Sequence, residues 1–202
     1  AKKDAIVNIG GFLCTNNESV NEKNQNLLIL TEGFPTYGGL AGRDLEAIGI
    51  GLNEAMDIDY LNYRIKSIEY LGKKLLKNDV PILQPTGGHA IYIDAGLFLS
   101  HIPRNQFPGQ VLACELYLKG GIRCSEIGSL MFGGINDDGK EFYANNELVR
   151  LAMPRRTYTQ SHIDYVIEVV INVYNNRKEL KGLTIAKQSK YLRHFTAKLK
   201  KV

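Results

Sequence analysis

Three groups of side chains in this 202-residue sequence have chemistry to offer. Lys2 and Lys3 stand directly before the apolar stretch DAIVNIGG. An ε-amine held beside a rigid strand and partly desolvated is neutral often enough to serve as nucleophile and base toward a carbonyl. Taken alone, the pair fits either that Schiff-base chemistry or a frayed, solvated end. Arg150 sits in the middle of the apolar run VRLAM. An unpaired charge is expensive to bury, so its guanidinium should meet a carboxylate, of the protein or of a ligand. The last group is held by turns. Tyr37 lies in TEGFPTYGGLAGRD, whose glycines either bring backbone close to a ligand or simply connect two elements tightly. His89 follows two glycines in PTGGHA and could be a ligand, an acid/base group, or a residue hydrogen-bonded in a turn.

Composition limits what else the chain can be. Its 25 basic and 21 acidic residues leave a formal charge of +4, too small and dispersed to mark a nucleic-acid surface. The basic tail KYLRHFTAKLKKV reads as a solvated strand or helix end. Cys14, Cys114 and Cys124 are odd in number and lack CxxC spacing, which argues against a disulfide framework or a zinc site and for a reducing, cytoplasmic setting. No apolar run approaches the ~20 residues that cross a bilayer, and no segment reads as a targeting signal. The expectation is a soluble protein with neither membrane nor nucleic-acid partner.

The elements that must position the reactive groups follow from periodicity. DAIVNIGGFLC and NLLILTEGF read as buried strands joined by the polar TNNESVNEKNQN. Leu45, Ile48, Leu52 and Ala55 recur at helical spacing over residues 43 to 56, and Leu61, Ile65, Ile68 and Leu75 over residues 59 to 78, predicting two amphipathic helices. VPILQ and IYIDA then read as short strands. QFPGQVLACELYLKGG reads as a helix stopped by Gly120 and Gly121, and IRCSEIG as an extended run. GGINDDGKEFYANN should be a loop or hairpin and VRLAM a strand. TQSHIDYVIEVVINVYNN should be a helix capped by Thr159, with a core stripe at Ile163, Val166, Ile167, Val170 and Val173. The fold class is α/β or α+β, with a boundary between residues 57 and 80.

Taken together, AKKDAIVNIGGFL, EGFPTYGGLAGRDLEAIGIGL, PTGGHA, residues 105 to 115, VRLAMPRRTYTQSHID, KGLT and LRHFTAKLK resemble the β-eliminating lyases, the family of tryptophanases and tyrosine phenol-lyases. The resemblance runs in order over nearly the whole length. It implies an α/β fold of the fold-type-I pyridoxal-phosphate class. Residues 1–57 would form the C-terminal part of the large cofactor-binding domain, and residues 58–202 the connecting helix and a small α+β domain. By the same resemblance Lys3 covalently carries pyridoxal phosphate, with Lys2 as a second cation near it. Asn8 offers a backbone carbonyl to a K⁺ or NH₄⁺ ion, Tyr37 lies in the active-site turn, and Arg150 grips the substrate α-carboxylate. Ile127 and His194 stand where the two sister activities differ. Where this chain has Ile127 the phenol-lyases carry an arginine for the phenol hydroxyl, and an apolar residue suits indole better. His194, in RHF, replaces their phenylalanine and would orient or polarise the ring. LAGRDLEAIGIGL and VNIGGFL lie closer to the phenol-lyase pattern. The expected reaction is β-elimination of L-tryptophan to indole, pyruvate and ammonia. Tyrosine phenol-lyase activity, a generic aminotransferase and a non-enzymatic assembly module are the alternatives. The resemblance further implies a homotetramer. It also implies that the chain is the C-terminal part of a longer enzyme, inactive without the N-terminal part.

Overall fold

The computed structural model describes residues 3, 5–154, 156–189 and 192–202. The chain divides into two compact units: residues 1–64 with 154–157, and residues 65–153 with 158–202.

The first unit is helical. Helix α1 spans Glu18–Thr31, with Asn17 as N-cap accepting from the Val20 amide at 3.0 Å. It occupies the NLLIL run that periodicity reads as a strand. A short leucine-rich run fits either element, and the side-chain cap with Glu18 in the first turn decides for the helix. The other expected strand, DAIVNIGGFLC, is absent as well. Ala5 and Val7 are buried, as a strand reading requires, but Ile6 has φ 50° and residues 5–14 form no ladder. Burial here comes from packing on a helix. Helix α2, Gly42–Glu54, brings Gly51 so close that an added Cβ would lie 1.8 Å from the Ala5 carbonyl oxygen. Helix α3, Ile58–Lys77, starts where Asp57 accepts from the Tyr60 amide at 2.8 Å, and it runs on into the second unit.

The second unit is built on a three-stranded antiparallel sheet of β1 (Ala90–Asp94), β2 (Ser125–Ile127) and β5 (Leu148–Ala152), in the order β1-β5-β2. Short α4 (Ala95–Phe98) follows β1. Helix α5, Pro108–Gly120, has Pro at its start and ends on Gly121 at φ 63°, a left-handed cap that glycine adopts without a Cβ penalty. Then come α6 (Ser129–Phe132), the hairpin of β3 (Gly134–Ile135) and β4 (Glu141–Phe142), and α7 (Gln160–Asn175). Thr159 caps α7 in a box with His162, whose Nδ1 accepts from the Thr159 amide at 3.1 Å. β6 (Leu183–Lys187) and β7 (Lys198–Lys201) pair antiparallel, with α8 (Arg193–Thr196) between them. The expected VPILQ strand is reduced to a bridge between Ile82 and Ile93.

The core joins one face of the sheet to three helices. Ile91, Ile93 and Val149 meet Leu71 and Leu75 of α3, Leu112 and Leu116 of α5, and Ile163 and Val170 of α7. Each such side chain contributes on the order of 2 kcal/mol when buried. Of the stripe expected on α7, only Val166 stays half-buried. Among the described residues, no helix is long and apolar enough to cross a membrane.

Candidate functional site

Lys3 occupies a turn at the head of the first unit and is half-buried. Its carbonyl accepts from Arg64 Nη1 at 3.0 Å, and the same Nη1 lies 3.1 Å from the Tyr60 hydroxyl. The guanidinium groups of Arg64 and Arg156 lie over that ring at 5.7 and 5.6 Å from its centroid. The turn is therefore pinned twice, by a buried arginine reaching across 61 residues and by the Ala5–Gly51 contact just after it. Arg64 was not visible as a functional residue in the sequence, where it is one polar position of an amphipathic helix.

Tyr37 is exposed in the turn after α1 and meets Phe34 edge-on at 6.0 Å. That turn is shaped by glycines. At Gly39, with φ 75°, a Cβ would lie 2.4 Å from the Glu32 carbonyl oxygen, and at Gly33 one would lie 2.5 Å from the Gly39 amide. Asn8 is exposed in the segment after Val7. Lys2 lies outside the described residues. Among the described residues, no group of three or more His, Cys, Asp and Glu could hold a metal ion.

In the second unit, register explains the oddness of Arg150. It pairs with Tyr92 on β1 and Ser125 on β2, and strand alternation sets Ile127 on the same face. Every one of these residues is half-buried, whereas the opposite face, with Ile91, Ile93 and Val149, is closed. Arg150 Nε is buried with no hydrogen-bond partner. A desolvated donor left unpaired costs free energy that a ligand can return. Arg150 and Ile127, reached by separate sequence arguments, thus share the open face of one sheet. His89 supplies a carbonyl to the Met153 amide at 2.7 Å, extending the β1–β5 ladder.

His194 lies on α8, and its contacts run to the closed face. Its Nδ1 stands 3.4 Å from Glu126 Oε2, an ion contact without hydrogen-bond alignment. Glu126 is 2% exposed and so is Glu147. Their carboxyls close on Gly128 from two sides: a Cβ there would lie 2.4 Å from Glu147 Oε2 and 2.8 Å from Glu126 Oε1. Glu126 accepts from the amides of Leu130 and Met131, at 3.1 Å each. Glu147 accepts from the Ser129 amide at 3.1 Å and from its hydroxyl. Burial, with the Glu147 charge adding to it, pushes the Glu126 carboxyl up to about 7 despite these amides. Burial also holds His194 below its ordinary value. Arg193 donates to the carbonyls of Ser129 and Leu130, fastening α8 to α6. Glu126, like Arg150, is a charge inside a strand, and that signal is present in the sequence.

The residues present fit pyridoxal phosphate and an amino-acid substrate as far as this length of chain is concerned. Lys3 brings an amine on a half-buried turn of the first unit, and in the second unit the Arg150 Nε has no hydrogen-bond partner.

Residues 1–169 match the family described as Beta-eliminating lyase. A tryptophanase of Hyphomonas neptunium is 55% identical over 197 residues, covering 98% of this chain and 43% of that protein. A tryptophanase of Salinibacter ruber is 56% identical over 200 residues, covering 99% and 42%. A tyrosine phenol-lyase of Nostoc punctiforme is 50% identical over 197 residues, covering 98% and 42%. The chain thus spans less than half the length of the curated relatives it matches.

Proposed function

The chain belongs to the β-eliminating lyase family, and on that premise we propose that it serves in a pyridoxal-phosphate-dependent lyase converting L-tryptophan and water to indole, pyruvate and ammonia. The observation that carries this reading is the buried, unpartnered Arg150 Nε on the same sheet face as Ile127. A carboxylate clamp beside an apolar wall suits an amino acid with an apolar ring.

When bound, the cofactor supplies the electron sink for carbanion formation. Lys3 Nζ holds it covalently and then takes the substrate α-proton. Arg150 fixes the α-carboxylate. Ile127 excludes water from the ring wall, and protonation of the indole ring makes it a leaving group. His194 orients or polarises the ring side, Tyr37 lies at the cofactor turn, and Lys2 places a second cation nearby. Asn8 gives its carbonyl to a K⁺ or NH₄⁺ ion. In this reading the fold is fold-type I, residues 1–57 complete the large domain, and residues 58–202 make the connecting helix and small domain. The relatives' greater length supports a preceding segment as partner; a cytoplasmic homotetramer belongs to the same proposal.

Tyrosine phenol-lyase is the second reading, favoured by relatives bearing that name at 50% and 49% identity. Ile127 is what weighs against it. The test is indole release from tryptophan and phenol release from tyrosine by the protein joined to the length its relatives carry. Indole release that is lost in Lys3→Ala supports the reading, and phenol as the main product overturns the substrate. The 202 residues alone should turn over negligibly, and normal turnover from them would refute the need for a preceding segment.

A further inference from the structure

Glu126 has no place in the scheme above, yet like Glu147 it is 2% exposed and held by two hydrogen bonds from α6. We propose that Glu126 is a positioning residue for His194, its enclosed carboxyl fixing the imidazole through Nδ1 and so deciding which ring nitrogen carries the proton. The inference rests on the lyase reading of the same site.

Three observations converge on it. The Glu126 side chain is fully enclosed while His194 retains 19% exposure, so the acid is out of water's reach and the imidazole is not. Nδ1 of His194 is buried and makes no hydrogen bond, though Glu126 Oε2 stands 3.4 Å away. A contact of that length and poor alignment in a free enzyme commonly tightens when substrate binds. Finally, the two groups are held by one rigid device. The α6 amides grip Glu126 and Glu147, while the α6 carbonyls accept from Arg193, the neighbour of His194. Movement of α8 relative to Glu126 is thereby restrained. On the same strand, Ile127 takes the opposite face beside Arg150, so β2 links the ring wall to the imidazole's anchor.

The electrostatics are local. The groups beside the Glu126 carboxyl are Glu147 before β5 and His194 on α8, while the Arg193 guanidinium is bound to the α6 carbonyls. Helix α5 approaches with Gly109 and brings no charge. Burial raises the acid to about 7 and lowers the imidazole. Above about pH 7 the charged carboxylate accepts from Nδ1–H of the neutral ring, leaving Nε2 as the free acceptor.

The experiment uses the full-length holoenzyme with ¹⁵N- and ¹³C-labelled histidine, the His194 signal being assigned by its loss in His194→Phe. In the unmutated enzyme at pH 8 the expected state is the Nδ1–H tautomer, and the Nε2–H tautomer overturns the proposal. In Glu126→Leu at pH 8 the preference for Nδ1–H should be lost, and the Nε2–H tautomer that an unanchored neutral imidazole favours should take over. kcat should fall with KM little changed. An unmoved tautomer in a folded variant overturns the proposal and leaves Glu126 a cap for α6. If Glu126→Leu fails to fold, the tautomer in the unmutated enzyme still decides. Absence of any lyase activity or of cofactor on Lys3 would refute the lyase reading, while the tautomer would still report whether Glu126 governs His194.

Discussion

Gly49 and Gly51 both lie in α2, and replacing each by alanine should move stability in opposite directions. At Gly49 nothing lies within 4 Å of an added Cβ. Alanine there removes backbone entropy from the unfolded chain and should stabilise by about 0.5–1 kcal/mol. At Gly51 the same methyl would sit 1.8 Å from the Ala5 carbonyl oxygen and 2.8 Å from Val7 Cγ1. The first partner is backbone and cannot rotate away, so the Ala5–Val7 segment must move by more than an ångström-scale adjustment. Overpacking of this kind costs roughly 3 kcal/mol against a helix-propensity gain of about 1, for a net loss of about 2 kcal/mol, or roughly 30-fold in the unfolding equilibrium. Because Lys3 heads this segment, Gly51→Ala should also lower cofactor loading, and Gly49→Ala should not. Denaturant unfolding of the two variants side by side, with cofactor absorbance read on the same samples, gives the comparison. If Gly51→Ala proves as stabilising as Gly49→Ala, the packing that pins Lys3 is wrong.

Arg150→Leu should raise KM for the amino acid at least tenfold, since a hydrogen bond to a charged group contributes about 1.5–3 kcal/mol. The thermal midpoint should hold or rise, because Nε has no internal partner to lose. Steady-state kinetics and a melting curve check both halves. Ile127→Arg should raise phenol release from tyrosine relative to indole release from tryptophan, measured as a ratio of kcat/KM values; an unchanged ratio would remove the main support for indole. Glu126 gives stability a pH dependence opposite to that of an ordinary carboxylate. Its folded value of about 7 lies above the model-compound 4.5. Its contribution is therefore complete below about pH 4.5 and is lost as pH rises through about 7, a span worth on the order of 3 kcal/mol. Glu126→Gln should flatten that slope in unfolding measured from pH 5 to 8.

How much of this was legible in the sequence depended on how local the cause was. Helices α2, α3, α5 and α7 could be read because apolar spacing, Pro108, Gly121 and Thr159 act within a few residues of where they stand. The NLLIL run was misread because four consecutive apolar residues carry no period. The deciding signal, Asn17 reaching the Val20 amide, lay in the segment taken for a loop. In DAIVNIGGFLC the expected burial holds at Ala5 and Val7 but not at Ile9, Phe12 and Leu13, which are exposed. The partner of Ala5 is Gly51, and such backbone contact leaves no trace except the glycine itself. At the site, Arg150 announced itself as a charge in a strand, and pairing places Ile127 on its face. Arg64, Glu147 and Arg193 act on residues distant in sequence, through carbonyls and amides that any sequence supplies.

The account depends most on Lys3. Borohydride reduction of the full-length enzyme with its cofactor, followed by peptide mass spectrometry, should find one pyridoxyl group, on Lys3 and not on Lys2. A pyridoxyl group on any other lysine, or none in an enzyme that still releases indole, would contradict it.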